Sequence, residues 1–161
     1  MPKSDAIYVL DTGTFIEVER LYPDRFPSFW RDLDALADAG RLHSVSEVTK
    51  ELVHKQTREF LAKWVDARDK LFPTPTTGET KFVADIFKVP GFLALVNQKK
   101  QLKGGVVADP WVVARAATLK ATVVSQETRD TDKIRIPKVC RHFNIPCVDL
   151  QGMMKQEGWV Y

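Results

Sequence analysis

Four carboxylates, Asp11, Glu51, Asp109 and Glu127, are the residues of this chain whose type and setting could do chemistry. Asp11 closes the apolar run Ile7, Tyr8, Val9, Leu10 and precedes a small polar turn, Thr12-Gly13-Thr14. Glu127 stands two residues after Ser125, the end of the β-prone run Ala121 to Ser125, and Asp109 opens a stretch rich in alanine and valine. A carboxylate left buried without a partner costs roughly several kcal/mol, so each must meet a cation, a helix N-terminus or water. Oxygen donors with room for water suit Mg²⁺ or Mn²⁺. Taken singly the residues have plainer readings: Asp11 as the cap of the helix behind it, Asp109 as an N-cap ahead of an N1 proline, and Glu51 as a solvated helix residue.

The elements around these acids must bring them to one rim. A short apolar run without polar alternation suits a strand covered on both faces, and in parallel sheets the functional crevice lies past the carboxyl ends of the strands. After the first strand the sequence predicts a helix over Thr14 to Leu21, stopped by Tyr22-Pro23-Asp24, and a second over Ser28 to Ala39, opened by Pro27 and stopped by Gly40. Leu42 and His43 make a brief second strand. Ser44-Val45-Ser46-Glu47 reads as a capping box, which gives Glu47 a structural task, whereas Glu51 one turn on has none.

Residues 56 to 71 read as continuing helix, Pro73 to Glu79 as a loop, and Thr80 to Val89 and Phe92 to Gln101 as two amphipathic helices before a basic segment ending in Gly104-Gly105. A helix from Asp109, a third strand over Ala121 to Ser125, a helix over Pro137 to Phe143, a strand around Cys147 to Leu150 and a last helix over Gln151 to Glu157 complete the chain. Strands alternate with helices, so the expected fold is a three-layer α/β/α sandwich around a mainly parallel sheet of about four to five strands. At 161 residues the chain is read as a single domain, 1–161.

Composition excludes several classes. With 44% hydrophobic and 28% charged residues the chain is an ordinary globular one rather than a disordered one. The pI near 8.9 is compatible with a nucleic-acid ligand without pointing to one. Cys140 and Cys147 form neither a disulfide framework nor a Cys-x-x-Cys pair, and a zinc cluster with His142 lacks a fourth ligand; buried thiols in a reducing cytosol are the expectation. No signal peptide and no membrane span is expected, so the location is read as cytoplasmic. Trp64 and Trp111 read as core, not as base-stacking platforms.

An apolar strand ending in Asp11-Thr12, Glu51-Leu52 after Ser-Val, Asp109 opening an alanine-rich helix, and an acid two residues after Ser125 together resemble the PIN-domain nucleases. The likeness extends over nearly the whole chain, since Ile136-Pro137, Cys140, Ile145-Pro146-Cys147 and Gly158-Trp159 are similar to one PIN-like branch. It implies that Asp11, Glu51, Asp109 and Glu127 bind Mg²⁺ or Mn²⁺ and are catalytic in hydrolysing the phosphodiesters of RNA. Two positions depart from the family. Gly13 stands where Asn or Ser is common, leaving Thr12 or Thr14 to supply that hydrogen bond. Glu127 stands in place of the usual Asp, with Asp130 and Asp132 close behind as alternative ligands. For small chains of this length the resemblance also implies the toxin half of a toxin–antitoxin pair, with an antitoxin protein as partner and a homodimeric assembly.

A bound divalent ion would acidify water and offset charge on the phosphate oxygens. RNA approaching an acidic rim needs cations, and Lys99, Lys100 and Lys103 before Asp109, with Arg129, Lys133 and Arg135 after Glu127, are placed to contact phosphates. His43, His54 and His142 are too scattered for a metal-free ribonuclease. Two other classes compete. An aspartyl phosphotransfer enzyme would use Asp11-Thr12-Gly13-Thr14, but it wants a second Asp at position 13 and a downstream lysine for which the sequence shows no candidate. An RNA-binding or scaffold module would keep the fold without turnover.

Overall fold

Tyr8, Val9 and Leu10 are all fully buried, which fixes β1 (Tyr8–Leu10) as the centre of the sheet. The computed structural model describes residues 4–96, 107–127 and 133–161. β1 is flanked on one side by β2 (Leu42–His43) and on the other by β3 (Thr122–Val124), with β4 (Cys147–Val148) outermost beside β3. The order is β2-β1-β3-β4 and every pair is parallel, with Leu10 opposite Val124 and Tyr8 opposite both Leu42 and Thr122.

The helices around this sheet include α1 (Thr12–Val18), α2 (Pro27–Asp38), α3 (Ser46–His54), α4 (Glu59–Ala67), α5 (Thr77–Lys88), α6 (Asp109–Leu119), α7 (Ile136–His142) and α8 (Leu150–Glu157). α2 packs on β2 while α6 packs on β1 and β3, and α5 and α7 pack on α6. The right-handed crossovers that parallel strands require put α2 over one face and α6 with α7 over the other for this strand order. The result is the α/β/α sandwich expected from the alternation of strands and helices. Trp159 meets Phe29 edge-on, which folds the chain end back onto α2, and Trp64 and Trp111 pack against the core as expected. No helix among the described residues is long and apolar enough to cross a membrane.

Several local expectations are corrected. The Ser44–Glu47 capping box does not form: α3 starts at Ser46 with Val45 as an N-cap that makes no side-chain bond. The Ser44 hydroxyl donates instead to the Leu10 carbonyl at 2.8 Å, and Glu47 pairs with Lys50 at 3.0 Å. A capping box does form at Thr76 and Glu79, so the helix read as starting at Thr80 begins at Thr77 and shortens the loop. Residues 56 to 71 are not one helix, because Gln56 turns left-handed (φ 52°) between α3 and α4 and a 3₁₀ turn takes up Asp69–Leu71. Asp109 is not an N-cap: Ala108 holds that position, with Asp109 and Pro110 already inside the first turn. Gly91 to Val96 begin a helical stretch, and the rest of the helix read over Phe92 to Gln101 lies outside the described residues.

Candidate active site

In a parallel sheet the helix that leads into a strand starts at the opposite end of that strand, the carboxyl edge. α6 and α7 precede β3 and β4, so Asp109 and Arg135 come to the carboxyl edge, where Asp11 also leaves β1 and Gln126-Glu127 leave β3. The chain passes from β1 to β2 in one direction and from β3 to β4 in the other, so β1 and β3 border the switch point at which open α/β sheets build their crevices. A cleft of about 270 Å³ opens there, lined by Asp11, Thr12, Gly13, Ile16, Lys55, Asp109, Gln126, Glu127 and Arg135.

Asp11 and Asp109 form its floor, each 3% exposed. Asp11 Oδ1 accepts from the Thr14 amide at 2.8 Å, capping α1, and lies 2.7 Å from the Thr14 hydroxyl. That hydroxyl is also 2.9 Å from the Val124 carbonyl. With one proton it serves one acceptor at a time, unless the Asp11 carboxyl is itself protonated and donates. Burial pushes the Asp11 carboxyl above its usual range and the charge of Asp109 pushes the same way, while hydrogen bonds from Ser125 and Thr14 oppose the rise without cancelling it. Asp11 therefore fills the capping role open to it, and its ionised form is still disfavoured beside a second carboxylate.

The other two acids are placed differently. Glu127 lines the cleft and its Oε2 accepts from the Ile136 amide at 3.2 Å, tying the end of β3 to the start of α7 across nine residues. Glu51, 1% exposed, does not line the cleft; its Oε1 accepts the hydroxyl of Thr12, which does. The sequence-predicted acids thus divide into three that face the cleft and one that stands behind it.

Of the cations expected at phosphates, Arg135 lines the cleft and Lys133 is exposed outside its lining. Lys99, Lys100, Lys103 and Arg129 lie outside the described residues, as do the alternative ligands Asp130 and Asp132. Lys55, Gln126 and Ser125 were missed. Lys55 follows Glu51 by one helical turn, a spacing that carries it toward the same side, and Gln126 is Glu127's neighbour; its Oε1 accepts from the Leu150 amide at 2.7 Å. Lys55 also supplies the lysine that an aspartyl phosphotransfer reading lacked, but position 13 is glycine and no second Asp stands beside Asp11.

The cleft's potential metal ligands are oxygen donors, with no histidine or cysteine in its lining. Among the described residues no three His, Cys, Asp or Glu side chains are gathered to hold an ion as they stand. Mg²⁺ commonly takes one or two carboxylates and keeps several waters. Two buried carboxylates, with the charge of Asp109 adding to the cost of ionising Asp11, fit that habit, because a divalent charge would offset that cost. The zinc alternative finds no such support: Cys140 is buried, and contact with the Cys147 thiol, then burial, hold it far above its ordinary pKa as a neutral thiol.

A family model described as Domain of unknown function (DUF4411) matches residues 8–161. Comparison with curated proteins finds no match. Among solved structures, the chain is similar to one in the crystal structure of VapBC2 from Rickettsia felis bound to a DNA fragment from their promoter. Identity is 15%, the overlap covers 89% of this chain and 98% of that one, and the TM-score is 0.47, a likeness too distant to bear on activity.

Proposed function

The chain belongs to the DUF4411 family, and because that membership names no activity we propose one from the cleft itself: a Mg²⁺- or Mn²⁺-dependent endoribonuclease that hydrolyses phosphodiester bonds. One observation carries the reading: Asp11 and Asp109, far apart in sequence, meet on the floor of the crevice at the sheet's switch point, where burial and the charge of Asp109 make Asp11 costlier to ionise. The PIN-like order of acids along the sequence supports RNA as the substrate class.

Asp11 and Asp109 would hold the cation, with Glu127 at the rim. When bound, the ion supplies positive charge for the phosphoryl oxygens and acidifies water. The chain's own part is orientation. Thr14 and Ser125 fix the Asp11 carboxylate, and Glu51 fixes Thr12 at the cleft wall, so that Glu51 serves the site through Thr12. Glu127 keeps α7 against the end of β3. The covered floor keeps bulk water from competing with these contacts.

The same reading takes a small antitoxin protein as the partner that would cover this cleft, and growth arrest on expressing the chain alone would be its sign. The nuclease is tested by incubating the purified chain with a mixed-sequence RNA oligonucleotide. Cleavage is expected with Mg²⁺ or Mn²⁺ and none in EDTA; RNA left intact under both conditions, or cut equally in EDTA, overturns the reading.

A further inference from the structure

Two thiols lie close to the cleft and take no part in the proposed hydrolysis. Cys140 sits one turn inside α7 and is fully buried, Cys147 opens β4 and is half-buried, and neither belongs to a disulfide. The chain between them doubles back: α7 ends at His142, Asn144 turns left-handed (φ 57°), and the Ile145 amide donates to the Cys140 carbonyl at 2.8 Å. Cross-strand partners share one face of a sheet, so Cys147 lies on the same face as Val123 and Val9. α7 packs on β4, and the two thiols are in hydrogen-bond contact, with the Cys140 S–H donating to Cys147. Cys140 also feels the charges of Asp11 and Glu127, which puts the pair beneath that end of the cleft.

We propose that Cys140 and Cys147 are an oxidation site for hydrogen peroxide, which closes them into an intrachain disulfide that tethers α7 to β4. Cys147 is the sulfur that solvent reaches. Its thiolate attacks one peroxide oxygen and the O–O bond breaks; the hydroxide that leaves becomes water with the proton Cys147 gave up, and Cys147 is left as a sulfenic acid. The Cys140 sulfur then attacks the Cys147 sulfur and the S–O bond breaks. The departing hydroxyl takes the Cys140 proton, which the S–H already aims at Cys147, so two thiols and one peroxide become one disulfide and two waters. Because the thiols touch before reaction, a bond of about 2.05 Å asks for a small approach of α7 to the sheet and no rearrangement. α7 begins at Ile136, whose amide Glu127 holds at 3.2 Å, so the tether acts on the wall of the cleft. In a reducing compartment such a bridge is transient and answers to oxidant.

The purified full chain, reduced and then freed of reductant, is exposed to hydrogen peroxide in EDTA, alkylated in denaturant and digested with trypsin. Arg141 lies between the two sulfurs, so the peptides carrying Cys140 and Cys147 separate unless a disulfide joins them. The joined pair is expected, two hydrogens lighter than the separate peptides, and dithiothreitol should part it. Cys140→Ser should stop at the sulfenic acid of Cys147, trapped by dimedone, and Cys147→Ser should leave Cys140 unmodified because burial shields it. In the bridged chain the amides of Lys138 to His142 should exchange with solvent about 10-fold more slowly than in the reduced chain. Peptides recovered only separately, a bridge found only between two chains, or α7 amides that exchange equally fast in both forms overturn the proposal. None of these readouts needs metal or RNA, so the tether stands or falls apart from the nuclease reading.

Discussion

The Thr12 hydroxyl donates to Glu51 Oε1 across 39 residues of sequence, joining the first turn of α1 to the middle of α3 behind the cleft wall. The bond needs an acceptor oxygen and not a charge. Glu51→Gln keeps that oxygen and should leave Mn²⁺ affinity and turnover within about 5-fold of wild type, while Glu51→Ala strands the Thr12 hydroxyl, at a cost of about 1–3 kcal/mol, and should lower turnover by about 10- to 100-fold. Turnover and calorimetric Mn²⁺ affinity of the two variants check this. Loss of Mn²⁺ binding in Glu51→Gln would make Glu51 a ligand instead.

Asp11 sets a pH dependence. Burial, aided by Asp109, raises its folded pKa above the unfolded value, so the folded state holds the proton more tightly. The stability this group contributes is fully present below the unfolded value and is lost as pH rises through the raised folded one. The metal-free protein therefore carries a penalty that grows as pH rises from the ordinary carboxylate range toward the raised folded value. Asp11→Asn, whose amide oxygen still accepts from Thr14, should raise the metal-free melting temperature at pH 7 by about 2–4 °C, equivalent to about 1 kcal/mol in a chain of this size. The gain should shrink as pH falls toward the ordinary carboxylate range. Melts in EDTA between pH 5 and 8 read it, and a pH-independent difference would contradict the assignment.

Gly13 leaves room beside the Asp11 carboxylate. A Cβ built there would meet Asp11 Oδ1 at 3.7 Å and Oδ2 at 4.0 Å, ordinary contact distances. Gly13→Ser would put a hydroxyl donor against Asp11 and remove a glycine from the first turn of α1, with a gain of about 0.5–1 kcal/mol expected from the backbone alone. Thermal unfolding in EDTA is the measurement; a lower melting temperature would mean that the carboxylate cannot accept the new neighbour.

Away from the cleft, Glu157 Oε2 accepts from the Tyr8 hydroxyl and from Arg41, each at 2.7 Å. Burial alone would push the Glu157 carboxyl up, but the Arg41 and Tyr8 hydrogen bonds carry it below its usual range. Arg41→Ala should cost about 1.5–3 kcal/mol, the worth of a charge-assisted hydrogen bond. The stabilisation by Mn²⁺ should persist, since these residues lie at the amino end of β1. A variant that loses its Mn²⁺ response would tie the two ends of the sheet together.

The parts of this protein legible in its sequence were those decided locally. β1 declared itself by an apolar run with no polar alternation, which only a strand covered on both faces requires, and Asp11 followed as its carboxyl end. Asp109 could be brought to the same edge because a helix leading into a parallel strand must start there. The parts that were not legible depend on contacts distant in sequence. Ser44-x-x-Glu47 and Thr76-x-x-Glu79 spell the same cap, yet only the second forms, because the Ser44 amide that Glu47 would cap donates to the Leu71 carbonyl and α3 starts beyond it, at Ser46. Glu51 and Lys55 share a helix and a spacing, but which of them reaches the cleft is decided by how α3 packs against α1, and Thr12 draws Glu51 away from it.

The most direct measurement is a calorimetric Mn²⁺ titration of the wild-type chain, Asp11→Asn and Asp109→Asn at neutral pH, with RNA cleavage assayed on the same samples. The account expects wild type to bind Mn²⁺ and cut RNA, and each variant to lose both while remaining folded. Mn²⁺ bound equally well by Asp11→Asn, or cleavage that survives in either variant, would contradict it.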